Sequence, residues 1–452
     1  MSVVKQVPSV LLCIAILGTV MLGSTVHYGA IVQRFYFSNG IQDTIVHEEI
    51  PVKAISLPQS EQNIVTSLRA SRPRTAPSKL TTTDEFLKDF ELGIDKFRGL
   101  MDENFSLIDS HSLEKISFQF PSVEQRVRYY MGSWYTPTTK YNITALCEEV
   151  PPFPLHGLPP GQHHTKPFLF DKNNVDAFPT AEYIPDVKHY IIEHASNQSS
   201  FQAVLALGDT QNGGNRWPAI IKSRRLYNFK KKSILAMLKE ERHYKMIDVV
   251  TNTNEIPWKD KKDVLIWRGS TTGRPWEPGS RLNVVKNYYN AINEGIDVAF
   301  SKLIWGSHYS NSTEAEDFTR ERINEVDLMQ YKYLLSIEGN DVATGLKWML
   351  YSNSLVFMAP PRYETWAMEG LLVPYYHYIP VAPDYHDLRE KLEWARKNDE
   401  ACQRISKQAT QFMKDLYVSE QAKKDSFEIH HQIVQRYERF YTKELNKCRI
   451  VT

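Results

Sequence analysis

A stretch rich in arginine, glycine and hydroxyl groups is the first place where this chain could do chemistry. It follows Trp267 and reads RGSTTGR, from Arg268 through Gly269 and Ser270 to Arg274. Small residues let the backbone approach a ligand, hydroxyls donate hydrogen bonds, and guanidinium groups hold phosphate oxygens in pairs. The stretch predicts a phosphate-binding loop, and an ordinary glycine turn with surface arginines is the alternative.

A second candidate is the run Glu338-Gly339-Asn340-Asp341, which precedes a segment with helical character over 342–351. Free N–H groups and the positive dipole end of a helix suit a diphosphate there. Lys347 lies further into the predicted helix and is another candidate to contact the diphosphate. The alternative is a simple N-cap by Asn340 or Asp341.

A third candidate is Asp209, which follows the apolar run FQAVLALG at 201–208. A carboxylate at the end of a strand can project into a cleft and act as a general base. An aspartate in this position can also be a turn former without any chemical role.

The elements that must position these residues follow the rhythm of a doubly wound α/β domain. Short apolar runs at 263–268, 331–338, 354–359 and 377–382 alternate with glycine-rich turns and helical segments. This predicts a parallel sheet with ligands at the carboxyl ends of its strands. We also expect a basic helix over 223–244, a helix to Lys397 that starts with a capping box of Asp387 and Glu390, and helices over 400–416 and 427–445.

Composition excludes several classes of protein. The 54 Lys and Arg residues against 53 Asp and Glu residues give a net charge of +1, which argues against a nucleic-acid binder that works by bulk electrostatics. The 4 cysteines include no CxxC pair, so a zinc ribbon is excluded, and Cys402 with Cys448 is one candidate disulfide. No HExxH, no GxSxG and no Asp-x-Asp triplet after a strand is present, and we expect no metal site.

The N-terminal segment 1–34 has no charged residue between Lys5 and Arg34, and its centre is VLLCIAILGTVML. About 20 apolar residues span a bilayer, so the segment predicts a signal-anchor transmembrane helix. A cleaved signal peptide is the alternative. Residues 35–80 are polar and proline-containing, which is typical of a flexible stem. Either interpretation of the N-terminus places the remaining chain in the secretory pathway.

The ordered blocks VLIWRGSTTGRPW, YKYLLSIEGNDVATGLKWMLYSNSLVFMAPPRYETW and GLLVPYYHYIPVAPDYHDLREKLEWARKNDE resemble glycosyltransferase family 90. The resemblance implies a GT-B architecture of two Rossmann-like domains that face a cleft. It places an acceptor-side domain at 81–245, a donor domain at 246–415 and a C-terminal helical segment, 416–452, that packs back on the N-terminal domain. It further implies an inverting transfer, without an obligatory metal or other cofactor, from a UDP-sugar to a hydroxyl of a glycan or protein. Glucose and xylose are the first candidates for the sugar, and a type II protein of the Golgi or endoplasmic reticulum membrane is the implied setting, with no nucleic-acid partner.

The resemblance also implies roles for individual residues. Those implied to bind the donor are Trp267, Arg268, Gly269, Ser270, Arg281, Gly339, Asn340, Asp341, Lys347 and Glu369. Asp209 is implied to be the catalytic base, and His377 lies near the ribose or has a structural role. One departure is Gly345, because animal members carry a second phosphate-binding arginine there. A catalytically inactive relative that binds carbohydrate or protein is therefore the alternative function.

Overall fold

The described part of the chain contains a four-stranded β-sheet, a five-stranded β-sheet and a two-stranded pair in a computed structural model. The structure describes residues 95 and 98–450 apart from 104, 110, 138–139, 153–166, 172–182, 197–200, 208–215, 227–232, 239, 254 and 305–311. The predicted membrane segment, the predicted stem and Asp209 lie outside the described residues. Residues Ser78–Thr452 form one unit, and all described residues belong to it.

The first sheet lies in the N-terminal half of this unit and has the order β1-β2-β3-β5. Strands β2, β3 and β5 are parallel, and β1 pairs with β2 in the antiparallel direction. The strands of this half are β1 (Phe168–Asp171), β2 (Gln202–Ala206), β3 (Ala219–Ile221), β4 (Arg224–Arg225) and β5 (Ile234–Leu235).

The second sheet has five strands in the order β11-β9-β8-β6-β7, and every pair is parallel. The strands of this half are β6 (Lys262–Ser270), β7 (Ile296–Lys302), β8 (Tyr331–Ser336), β9 (Leu355–Met358), β10 (Tyr363–Glu364) and β11 (Ile379–Pro380). The short strand β10 pairs with β4, so it connects the two halves. This is a mixed α/β fold whose sheets are largely parallel. The predicted α/β class is thus confirmed, and the GT-B arrangement stays a prediction.

Helices surround both sheets. They are α1 (Ser112–Lys115), α2 (Val123–Met131), α3 (Ile143–Glu149), α4 (Ile184–Tyr190), α5 (Glu240–Thr251), α6 (Arg281–Tyr288), α7 (Ser312–Ala315), α8 (Glu325–Leu328), α9 (Leu346–Tyr351), α10 (Leu388–Lys397), α11 (Asp399–Met413), α12 (Glu420–Tyr437) and α13 (Lys443–Leu445). Every residue of β2 and β9 is buried, as expected of strands covered on both faces. Among the described residues, no helix has both the length and the apolar character needed to cross a membrane.

The C-terminal helices contact the first sheet. The Tyr437 hydroxyl accepts a hydrogen bond from the Val204 amide at 3.0 Å, and the Thr442 hydroxyl donates to the Gln202 carbonyl at 2.8 Å. A disulfide joins Cys147 to Cys448, across 301 residues of sequence. The candidate pair of Cys402 and Cys448 is therefore wrong, because Cys402 is buried in α11 and keeps a free thiol.

Three predicted local structures are also wrong. Among the described residues of 223–244, Arg224–Arg225 and Ile234–Leu235 are strands and a helix begins only at Glu240, because Arg224 and Arg225 pair with β10. The Asp387 carboxylate accepts from the Ala382 amide at 2.9 Å, and so it does not cap α10. Helix α9 begins after Gly345, so the run 338–341 is a loop rather than the N-terminus of a helix.

Candidate active site

The strand order of the second sheet reverses at β6, which lies between β7 and β8. In open α/β sheets, ligands bind at the carboxyl edge where the order reverses. The loops that leave this edge are 271–280 after β6 and 337–345 after β8, and both were singled out from the sequence. A cavity of about 900 Å³ opens at the same edge, and its lining includes Ser336 at the end of β8 and Met358 at the end of β9.

Arg281 joins the two loops. Its Nη1 donates to the Ser270 carbonyl at 3.2 Å and to the Thr272 hydroxyl at 2.7 Å. Its Nε and Nη2 donate to the Ile337 carbonyl at 3.2 and 3.1 Å. Arg281 is the first residue of α6, which the Ser280 side chain caps. The guanidinium therefore fixes the distance between the loops and adds positive charge beneath them.

The glycines of these loops allow close contacts with their neighbours. A Cβ on Gly339 would lie 3.0 Å from both Arg281 Nη2 and Thr272 Oγ1. Gly273 has a φ of +112°, which side-chain-bearing residues rarely adopt, and its amide donates to Asn340 Oδ1 at 3.1 Å. The structure thus brings Gly339 and Asn340 together with the loop after β6.

Trp267 and Gly269 form a packed pair under the loop. The Trp267 indole lies against Phe300 and under the Arg281 guanidinium, whose Cζ is 5.7 Å from the ring centroid. A Cβ on Gly269 would lie 2.3 Å from an indole carbon of Trp267. The need for glycine here is thus one of packing within β6.

Arg268 lies on the other face of β6, as the alternation of side chains along a strand requires. Its Nη2 forms an ion pair with Asp297 Oδ2 at 2.8 Å, and its Nη1 donates to the carbonyls of Trp267 and Asp297. Its side chain is 6% exposed. The structure therefore does not bring Arg268 together with Arg281, which lies against the face of β6 that carries Trp267.

Asp341 connects the loop after β8 to the first sheet. Its carboxylate accepts from the Ser223 hydroxyl at 2.7 Å and forms an ion pair with Lys222 at 3.2 Å, and all three side chains are buried. Lys222 and Ser223 follow β3 directly. The carboxyl edges of the two sheets consequently meet at Asp341.

Lys347 and Glu369 form a buried ion pair with an N–O distance of 2.9 Å, and each side chain is 1% exposed. The Glu369 carboxylate also accepts from the Thr365 amide at 2.7 Å and hydroxyl at 2.9 Å. Glu369 lines the cavity and Lys347 lies behind it. Lys347 thus balances the charge of Glu369.

Arg274 and Glu338, both named from the sequence, form a cluster of charges with Glu277 and Arg362, which sequence reasoning missed. Arg362 Nε donates to Glu338 at 2.7 Å and its Nη1 to Glu277 at 2.5 Å, while Arg274 donates to Glu277 at 3.0 Å. Burial raises the pKa of the Glu338 carboxyl, although Arg362 opposes the shift. Burial acts to raise the pKa of Glu277 as well, but hydrogen bonds from Arg362 and Arg274 outweigh it and the pKa is lowered.

His377, predicted near the ribose or structural, is buried. Its Nδ1 accepts from the Val373 amide at 2.9 Å, and its ring packs against Phe118 and Phe412. Burial lowers the pKa of this imidazole to about 3. Its role is thus in the core. Within the described part of the chain, no group of three or more His, Cys, Asp or Glu side chains is arranged to hold a metal ion.

Comparisons with known proteins point to one family. Residues 233–447, which contain the whole second sheet, match the model of Glycosyl transferase family 90. O-glucosyltransferase LpsA of Dichelobacter nodosus is 34% identical over 196 residues, which are 43% of this chain and 55% of LpsA. Protein O-glucosyltransferase 2 of Danio rerio is 27% identical over 42% of this chain and 35% of its own length. Protein O-glucosyltransferase 1 of Homo sapiens is 28% identical over 37% of this chain and 41% of its own length.

The match thus spans about half of LpsA and less of the animal proteins. The residues that match the family model include both candidate loops and most of the residues that line the cavity. Residues 233–447 thus match glycosyltransferase family 90, and the O-glucosyltransferase relatives support this family assignment.

Proposed function

We propose that this chain is an inverting glycosyltransferase that moves a hexose or pentose from a UDP-sugar to a hydroxyl of a glycan or protein. Glucose and xylose are the first candidates for the sugar. The observation that carries the proposal is the cavity of about 900 Å³ at the carboxyl edge of the second sheet, where the strand order reverses. The names of the relatives, which are O-glucosyltransferases, support the same reaction class.

The loops at this edge suit a diphosphate leaving group. Arg281 holds the loops after β6 and β8 at a fixed separation, so their backbone N–H groups and its own charge are preorganised. Preorganised donors stabilise charge that develops in a transition state without further reorganisation. In this proposal they stabilise the departing UDP while the acceptor hydroxyl attacks the anomeric carbon from the opposite side.

Asp209 is the proposed base. It follows β2, and β2 runs parallel to β3, so both strands end at the same edge of the first sheet. The residues after β3, Lys222 and Ser223, contact Asp341 of the loop after β8. This arrangement supports a GT-B pair of lobes, and in the proposed reaction Asp209 removes the acceptor proton.

The uncharged N-terminal segment supports a membrane setting. We propose that residues 1–34 anchor a type II protein in the Golgi or endoplasmic reticulum membrane with its catalytic body in the lumen. The expected results are resistance of the full chain to carbonate extraction and protection of 81–452 from protease in sealed microsomes. Release by carbonate, or digestion of intact microsomes to small fragments, would contradict the anchor.

The activity is tested with a panel of UDP-sugars and the release of UDP. We expect turnover with one of the sugars, and loss of turnover in Asp209→Asn with UDP affinity retained. Near wild-type turnover of Asp209→Asn would remove that residue from the mechanism. UDP binding without turnover on any sugar or acceptor would favour the inactive relative.

A further inference from the structure

Three of the cationic side chains that the sequence assigns to the donor already have protein partners. Every nitrogen of the Arg281 guanidinium donates to the loops after β6 and β8. Arg268 is paired with Asp297, and Lys347 is paired with Glu369. None of the three basic side chains lines the large cavity. Arg281 can act on a diphosphate in the cavity only through its charge at a distance, so direct contact with a cation requires a basic side chain from elsewhere in the fold.

Arg362 is in a position to supply this cation. It lies in the loop after β9, directly behind Pro360 and Pro361, and these three residues line the cavity. Its side chain is 43% exposed. The two prolines restrict the backbone of this loop, so Arg362 leaves the sheet in a defined direction.

The partners of Arg362 orient its guanidinium and leave one edge available. Glu338 accepts from the Arg362 amide at 2.9 Å and from Nε at 2.7 Å, and Glu277 accepts from Nη1. Nη2 has no acceptor within the described part of the chain. A guanidinium fixed in this way offers a donor to a phosphate oxygen with little loss of conformational freedom on binding.

We propose that Arg362 binds the diphosphate of the nucleotide-sugar donor through Nη2, held in place by Glu338 and Glu277. This inference deepens the proposed function and rests on it. Since Arg274 and Arg362 balance Glu277 and Glu338, the cluster is neutral before the donor binds. Glu277 then also limits affinity for the diphosphate, because its charge lies next to the bound anion.

The main test compares the affinities of UDP and uridine by calorimetry in Arg362→Gln. Charge-assisted hydrogen bonds are worth about 1.5–3 kcal/mol, so UDP affinity should fall roughly 10-fold to 100-fold while uridine affinity stays unchanged. Arg362→Lys should recover only part of the loss, because it keeps the charge without the planar fork. Arg396→Gln is the matched control, since Arg396 also bridges two carboxylates, Asp263 and Glu393, but near the amino end of β6. UDP affinity should not change in this control.

A purely structural role gives a different result. If Arg362 only holds the loop, Arg362→Gln weakens UDP and uridine by the same factor, and the inference is overturned. Unchanged UDP affinity in Arg362→Gln also overturns it. If the wild-type chain binds no UDP at all, the proposed function fails before Arg362 is tested.

Glu277→Gln is the second variant, in case Arg362→Gln does not fold. Removing this carboxylate should tighten UDP binding several-fold and leave uridine binding unchanged, because the diphosphate then has less competition for the guanidinium. Weaker UDP binding in Glu277→Gln would overturn the inference.

Discussion

Lys347→Met removes one partner of a buried ion pair, and the structure allows its effect on stability to be worked out. Lys347 Nζ is 2.9 Å from Glu369 Oε1, and each side chain is only 1% exposed. Without Lys347, the Glu369 carboxylate keeps its hydrogen bonds from Thr365 but loses the counter-charge that Lys347 supplies, and it has little access to water. Removing one partner of a buried ion pair costs about 3–5 kcal/mol, and we expect a loss in this range.

The assay is urea unfolding of Lys347→Met beside the control Lys423→Met. Lys423 pairs with Glu420 at 2.7 Å, but these side chains are 62% and 81% exposed. Because exposed pairs contribute about 0–1 kcal/mol, the control should remain close to wild type. The double variant Lys347→Met/Glu369→Leu should regain much of the lost stability, because it leaves no buried charge. A loss below about 1 kcal/mol in Lys347→Met would refute the reasoning.

Three further predictions concern the fold around the site. Gly269→Ala should lose about 1–3 kcal/mol of unfolding free energy, measured in urea, because its Cβ would lie 2.3 Å from the Trp267 ring. Gly99→Ala is the control and should lose less, because nothing lies within 4 Å of the added Cβ. Equal losses in the two variants would contradict the packing account. Folding lowers the pKa of His377 from 6.5 to about 3, so its contribution to stability is complete above pH 6.5 and is lost as the pH falls toward 3. In that range the unfolding free energy of His377→Gln should fall less steeply than that of wild type, by about 1.4 kcal/mol per pH unit, and parallel curves would contradict this. Cys147→Ser should cost about 2–5 kcal/mol, since its disulfide with Cys448 closes a loop of 301 residues, and an equal effect of Cys402→Ser would contradict the assignment.

The sequence was informative where a local pattern determines the structure. The apolar run at 201–208 contains β2, and the glycine-rich segments after β6 and β8 lie at the edge where the strand order reverses. These features depend on neighbouring residues and on the alternation of strands and helices, which can be followed along a chain. Gly269 and Gly339 were predicted to let the backbone approach a ligand, and the close contacts that the structure shows are with side chains of the protein itself.

The partners of charged side chains could not be predicted in the same way, because they are far apart in sequence. Arg362 meets Glu277 across 85 positions, and Ser223 meets Asp341 across 118. The face of β6 on which Arg268 lies depends on the register of the strand, and its ion pair depends on the position of Asp297 in β7. The start of α9 at Leu346 likewise depends on Asp341, whose carboxylate is bonded to Lys222 and Ser223 instead of capping a helix.

Hydrogen–deuterium exchange with and without UDP tests most directly whether the carboxyl edge of the second sheet holds the donor. We predict that UDP slows the exchange of amides in the loops 271–280, 337–345 and 359–362, while β1 and the helices of the C-terminus exchange as before. Slower exchange confined to regions away from these loops, or no change at any UDP concentration, would contradict the account.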